Sequence, residues 1–293
     1  MDGTRTIEIE ANGIRFSAYE AGEGPLVLCL HGFPDHARSF RHQVGPLVEA
    51  GHRVVVPYMR GYAPTSAPED GCYQLAALAH DAVGLIDALD EERGVIFGHD
   101  WGAITAYAAA ALAPERVSRL VTAAVPYGPA FLEKFATSYE QLKRSWYIFV
   151  FQQPVAEIAV LQDNGAFIAK LWRDWSPTWD APTDEVDAVC ELLVKPDVLT
   201  AALGYYRAMF NAALHRADLA DDEAKMNVTP IQVPTMYLHG RDDGCMGVEL
   251  AQGMEAMFPA GLDKHVIAGA GHFLHQEKPD EINRLVLDFL TRG

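Results

Sequence analysis

An α/β fold is what this sequence predicts: a mostly parallel sheet with helices on both sides and a helical segment inserted late in the chain. Three observations carry that expectation. First, short apolar runs at residues 25–30, 53–56 and 95–97 alternate with stretches that place apolar residues at helical spacing, the rhythm of strand–helix–strand units whose strands are buried on both faces. Second, from residue 127 to 226 that rhythm stops; no strand-like run occurs there, and 15 of the chain's 29 Phe, Trp and Tyr residues collect in it. Third, strand-like runs resume at 234–238 and 264–267. The helical part therefore interrupts one domain and is not a second domain in series. The expected organisation is a core of residues 1–126 and 227–293 with a helical cap, or lid, at 127–226.

Each element has a local reason. Residues 7–10 and 14–18 alternate in polarity on either side of Asn12-Gly13, a dipeptide suited to tight hairpin turns, so they should pair antiparallel. The run 25–30 is apolar throughout and is broken by His31-Gly32-Phe33-Pro34. Residues 37–50 carry a helical pattern, 53–56 a further buried strand, 60–66 a loop, and 75–89 helical spacing again. Residues 95–97 then run into Gly98-His99-Asp100-Trp101-Gly102, and an alanine-rich helical stretch, 103–112, meets no breaker before Pro114. Residues 117–125 read as a strand closed by Pro126.

Composition narrows the function classes. At 293 residues, 49% hydrophobic and 22% charged, the chain can bury a large core and has no signature of disorder. A net charge of −17, uninterrupted by any Lys/Arg cluster, repels phosphate backbones and argues against a nucleic-acid partner. The first ten residues are too acidic for a signal peptide, and nothing approaches a membrane-spanning run, so a cytoplasmic protein without a membrane anchor is expected. Cys29, Cys72, Cys190 and Cys245 lack metal-ligand spacing and read as free thiols.

Strand, tight turn and helix around Gly98-x-Asp100-x-Gly102 are the geometry of a nucleophile elbow, in which the central side chain stands alone above the sheet. Asp occupies that position here. A plain βα turn, with Asp100 capping the helix, would read the same from the pentapeptide alone. Two further pieces follow strand-like runs: His239-Gly-Arg-Asp242-Asp243 and Ala268-Gly-Ala-Gly-His272. Asp100, Asp243 and His272 thus stand in the order nucleophile, acid, histidine, each past the carboxyl end of a strand. Asp243 is the preferred acid, with Asp242 a capping residue for the next element.

These motifs resemble the α/β-hydrolase fold, and within it the soluble epoxide hydrolases. His31-Gly32-Phe33-Pro34 is similar to the family's H-G-x-P oxyanion turn, Gly98-His99-Asp100-Trp101-Gly102 to its nucleophile motif, and Gly269-Ala-Gly-His272 to its histidine turn. The resemblance covers nearly the whole chain and maps the family's two ring-opening tyrosines to Tyr147 and Tyr206, with Tyr205 the neighbouring alternative. One departure is Tyr58, where the family more often has an acidic residue.

The resemblance implies an epoxide hydrolase that converts a lipophilic epoxide and water to a vicinal diol. Asp100 attacks saturated carbon to form an ester, while Tyr147 and Tyr206 supply a proton to the leaving oxygen. His272, oriented by Asp243, activates the water, and the backbone N–H groups of Phe33 and Trp101 hold the oxyanion. No metal or organic cofactor is called for, and a homodimer is left open. Two alternatives remain. Haloalkane dehalogenases share H-D-W-G and hold the halide with an indole N–H plus a second donor; Phe33 offers no side-chain donor, though Trp146, Trp172, Trp175 or Trp179 would be available. A binding protein without turnover is the other, disfavoured because all three triad residues are present.

Overall fold

The structure, a computed structural model, describes residue 1 and residues 3–292. Its strands are β1 (Arg5–Ala11), β2 (Ile14–Ala21), β3 (Leu26–Leu30), β4 (Arg53–Pro57), β5 (Gly94–His99), β6 (Val117–Ala123), β7 (Thr235–Gly240) and β8 (Leu262–Ile267). They form one sheet in the order β1-β2-β4-β3-β5-β6-β7-β8. The β1–β2 hairpin is antiparallel, as is β2 on β4, and every pairing from β4 to β8 is parallel.

Helices follow the strands: α1 (Arg41–Glu49), α2 (Leu75–Ala88) and α3 (Trp101–Leu112) lie between strands, and α12 (Leu274–Glu277) and α13 (Pro279–Thr291) end the chain. Between β6 and β7 the described residues contain helices and no strand: α4 (Pro129–Thr137), α5 (Tyr139–Arg144), α6 (Trp146–Phe151), α7 (Val155–Leu161), α8 (Ala166–Trp175), α9 (Thr183–Leu193), α10 (Pro196–Phe210) and α11 (Ala220–Glu223), with short 3₁₀ turns. The strand expected over 117–125 ends at Ala123 because Ala124 takes a positive φ of 74°, which a regular strand does not accommodate.

The double-sided burial of β3 shows why an all-apolar run makes a central strand. Leu26, Leu28 and Leu30 face one core with Leu78 and Leu85 of α2 and Ala106 of α3. Val27 and Cys29 face another with Val44 and Leu47 of α1 and Phe289 of α13. Successive side chains of a strand point to opposite faces, so both must be apolar; each fully buried Val or Leu is worth about 1.5–3 kcal/mol. The two crossovers from β3 and β5 leave on opposite faces, since α1 belongs to one core and α3 to the other. The crevice at the carboxyl ends of β3 and β5 is thus the topological switch point, where open α/β sheets hold their sites.

Candidate active site

At that switch point β5 delivers Asp100 at φ 52°, ψ −119°, a strained conformation for a residue with a side chain. The neighbouring glycines make the bend feasible. A Cβ on Gly98 would overlap the Gly102 carbonyl, one on Gly102 the Leu30 carbonyl, and one on Gly32 the Asp100 carboxylate. Asp100 occupies the N-cap position of α3 but makes no side-chain capping bond, so the plain capping reading of this turn does not describe it. Instead Oδ1 accepts a hydrogen bond of 2.7 Å from the Phe33 N–H. The Trp101 N–H, first in its helix and so without an i−4 partner, lies on the same side: a Cβ on Gly32 would meet both it and the carboxylate.

The turn after β3 is pinned by His31. Burial pushes its imidazole down to about 3, so it is neutral; Nε2 accepts from the Met59 N–H at 3.0 Å, and Nδ1 donates to Gly32 O, also at 3.0 Å. Pro34 supplies a carbonyl to the Trp172 indole N–H at 2.7 Å. His99, also neutral because burial lowers it to about 4, donates from Nε2 to the His272 carbonyl at 2.9 Å.

His272 is fully buried, with Nδ1 2.9 Å from Asp243 Oδ2 and Nε2 3.5 Å from Asp100 Oδ2. Burial opposes its positive charge, but the charges of Asp243 and Asp100 and the hydrogen bond to Asp243 outweigh that and raise it to about 10. For Asp243, burial works against the anion, yet His272 and backbone donors hold the carboxyl below its ordinary range. Its Oδ1 accepts from the N–H groups of Cys245 and Met246 at 2.7 and 2.8 Å, so both oxygens are engaged. Asp242 makes no such contact with His272.

Helices α6 and α10 bring Tyr147 and Tyr206 to the same place. A largely apolar cavity of about 380 Å³ is lined by Asp100, Trp101, Tyr147, Ile148, Tyr206 and others. The rings of Tyr147 and Tyr206 lie 5.8 Å apart. Tyr206 Oη is buried without a partner, whereas Tyr147 Oη lies 3.4 Å from Cys245 Sγ. Burial, reinforced by the nearby Asp100 charge, pushes both phenols well above their usual range, so both keep their protons. Tyr205 also lines the cavity, but its hydroxyl is spent, donating to the Arg60 carbonyl at 2.8 Å. That bond belongs to the support of the loop carrying Tyr58, in which Arg60 grips Asp81 with Nε and Nη2 at 2.5 and 2.6 Å and Tyr58 Oη meets Tyr19 Oη at 3.1 Å.

Two participants carry no sequence signal. Cys245 joins the two halves of the site, its N–H on Asp243 and its thiol beside Tyr147. Trp175 accepts the His272 N–H at its carbonyl, 3.0 Å, and sets its ring 5.0 Å from the imidazole. Neither position belongs to a motif; only the folded chain brings them in.

The profile of the alpha/beta hydrolase fold matches residues 25–279. An AB hydrolase superfamily protein of Bacillus subtilis is 32% identical over 99% of both chains. Epoxide hydrolase A of Mycobacterium tuberculosis is 30% identical, covering 97% of this chain and 96% of its own. The chain belongs to the α/β-hydrolase family, in its epoxide hydrolase branch. Solved structures of this branch agree: that of the Bacillus megaterium epoxide hydrolase in complex with an inhibitor matches with a TM-score of 0.84 at 27% identity, over 98% of this chain and 100% of that one. Epoxide hydrolase A from Mycobacterium thermoresistibile matches with a TM-score of 0.80 at 29% identity, over 98% of both. Membership makes this protein a hydrolase of that branch.

Proposed function

We propose that this protein hydrolyses a small-to-medium lipophilic epoxide to a vicinal diol through an ester on Asp100, with residues 127–226 acting as the cap over the core. The observation that carries the reading is the shared cavity, lined by both a held carboxylate and a buried phenol whose O–H has no partner. A carboxylate attacks saturated carbon without a base. Oδ1 is taken up by the Phe33 N–H, so Oδ2 is the attacking oxygen. As the carbon–oxygen bond of the ring breaks, Tyr206 and Tyr147 hydrogen-bond to the leaving oxygen and one of them gives it a proton.

Esterification also changes the histidine. With Asp100 neutral, His272 loses one of the two charges that raise it, and it gives its proton to the phenolate. The free imidazole then takes a proton from water, and hydroxide attacks the carbonyl carbon of the ester. Oδ1 becomes the oxyanion between the Phe33 and Trp101 N–H groups; as it collapses, the bond from the carbonyl carbon to the diol oxygen breaks, the departing alkoxide takes the proton of the new carboxyl, and Asp100 is left ionised beside a protonated His272. The apolar lining favours lipophilic epoxides. Against halide release stand the commitment of the Trp172 N–H to Pro34 and the 43% exposure of Trp146.

A single turnover in isotopically labelled water tests the reading. The first diol should carry an unlabelled oxygen from Asp100, and label should appear only in later turnovers; labelled oxygen in the first diol overturns the covalent step, as does bromide release from a bromoalkane with no diol from any epoxide.

A further inference from the structure

Twelve large hydrophobic side chains are exposed among the described residues, and eleven of them lie on the helical segment and the residues just after it, between Leu132 and Val228, leaving only Val266 elsewhere. Three of them, Leu132, Met209 and Phe210, also line the cavity, so the cavity reaches the surface through this apolar region. Phe149 on α6 stacks against Phe210, ring centres 6.2 Å apart and planes 27° from parallel. Trp146 lies one turn before Phe149 on the same helix. On α7, which packs against α6, Val155 and Ile158 share a face and are 51% and 60% exposed. Single exposed hydrophobics are ordinary on a protein surface, but a concentration on one helical segment that also forms a pocket mouth marks a surface that something covers.

Charge says what covers it. The protein carries −17, yet residues 129–161, which hold seven of the eleven, are neutral, with Lys134, Lys143 and Arg144 against Glu133, Glu140 and Glu157. Glu157 is moreover paired with Arg207 at 2.7 Å. A second copy of the chain would bring one strongly negative body against another and close the cavity mouth. An anionic membrane would be repelled by the rest of the molecule. A neutral lipid surface opposes neither, accepts the exposed aromatic and aliphatic side chains, and is where apolar compounds of the kind this cavity suits dissolve.

We propose that this face docks on zwitterionic lipid, with the cavity mouth against the surface, so that substrate passes from lipid to Asp100 without crossing water. Docking stands on the surface alone; feeding the cavity rests on the epoxide reading above. No helix among the described residues is long and apolar enough to cross a membrane, so the association is peripheral and reversible.

The test is co-flotation of the full chain with phosphatidylcholine vesicles and with vesicles in which part of that lipid is replaced by phosphatidylserine. It is run on wild type and on the triple variant Phe149→Ser, Val155→Ser, Ile158→Ser, none of which lines the cavity. Wild type should float with phosphatidylcholine and less with phosphatidylserine, and the triple variant should float about tenfold less. The variant's kcat/KM on a short water-soluble epoxide should stay within about twofold of wild type, while its rate on a long-chain epoxide held in vesicles falls with its binding. Wild type that stays unbound, or a triple variant that floats as well, overturns docking. So does a concentration-dependent dimer that the triple variant abolishes without any vesicle binding, which would assign the face to a second copy. Flotation with no diol from either epoxide would leave docking standing and remove the proposed reaction.

Discussion

On the sheet side of the cavity the groups proposed to react are already held. Asp100 Oδ1 is fixed by the Phe33 N–H, both oxygens of Asp243 are bonded, and the histidine turn is tied to Trp175 and His99. On the helical side the opposite holds. Tyr206 Oη is buried with no partner, and Tyr147 Oη has only a thiol at 3.4 Å, a weak acceptor. The difference has a physical sense. A nucleophile and its base gain from geometry fixed before substrate arrives, whereas a donor to the leaving oxygen must keep its hydrogen bond unspent. An unsatisfied buried hydroxyl costs about 1–3 kcal/mol, which the chain accepts at Tyr206 and avoids next door at Tyr205, where the hydroxyl is bonded to Arg60.

The contrast can be broken from either side. Removing the nucleophile with Asp100→Ala should have the largest effect, a loss of about 10⁴-fold or more in kcat; stopped-flow detection of diol at more than a few per cent of wild-type rate would refute the elbow assignment. Replacing His272 with Gln should lower steady-state turnover by about 10³- to 10⁴-fold while sparing the first attack, so that intact mass gains one substrate on the peptide containing Asp100. On the helical side, Tyr206→Phe or Tyr147→Phe alone should slow ester formation by about 10- to 10²-fold, and the double variant by more, since either phenol partly replaces the other. Tyr205→Phe is the control: kcat unchanged, with a loss of about 1 kcal/mol in stability as the Arg60 carbonyl loses its donor.

Stability against pH probes the charged imidazole on the sheet side. His272 is raised from 6.5 to about 10 in the folded chain, so its contribution is full below its unfolded value and is lost as pH climbs from about 6.5 through 10. Asp35, which burial raises to about 8, adds a loss of the same sign from its unfolded value near 4 upward. Melting temperature should therefore fall over pH 7 to 10, and less steeply in His272→Gln. An equally steep fall in that variant would show that the imidazole is not held charged.

The sheet side was largely legible along the chain, because its constraints are local. A strand, a glycine on each side of Asp100, and a histidine or acid just past another strand are written within a few residues. The same holds for β3, whose uninterrupted apolar run signalled burial on both faces. The helical side was not. Tyr205 and Tyr206 are adjacent and both line the cavity, and which hydroxyl is left free depends on how α10 is rotated against the loop of Arg60. Cys245 and Trp175 enter the site through contacts with residues 98 and 97 positions away, Tyr147 and His272 respectively.

By itself, then, the sequence determined the alternation of elements, the bend at Asp100 and the chain order of carboxylate, acid and imidazole, because backbone sterics and burial periodicity act over neighbours. The tertiary structure alone decided which tyrosine hydroxyl stays free, what the thiol touches and where the cavity meets solvent. Those depend on how helices far apart in the chain pack over one sheet edge, and no short stretch encodes that.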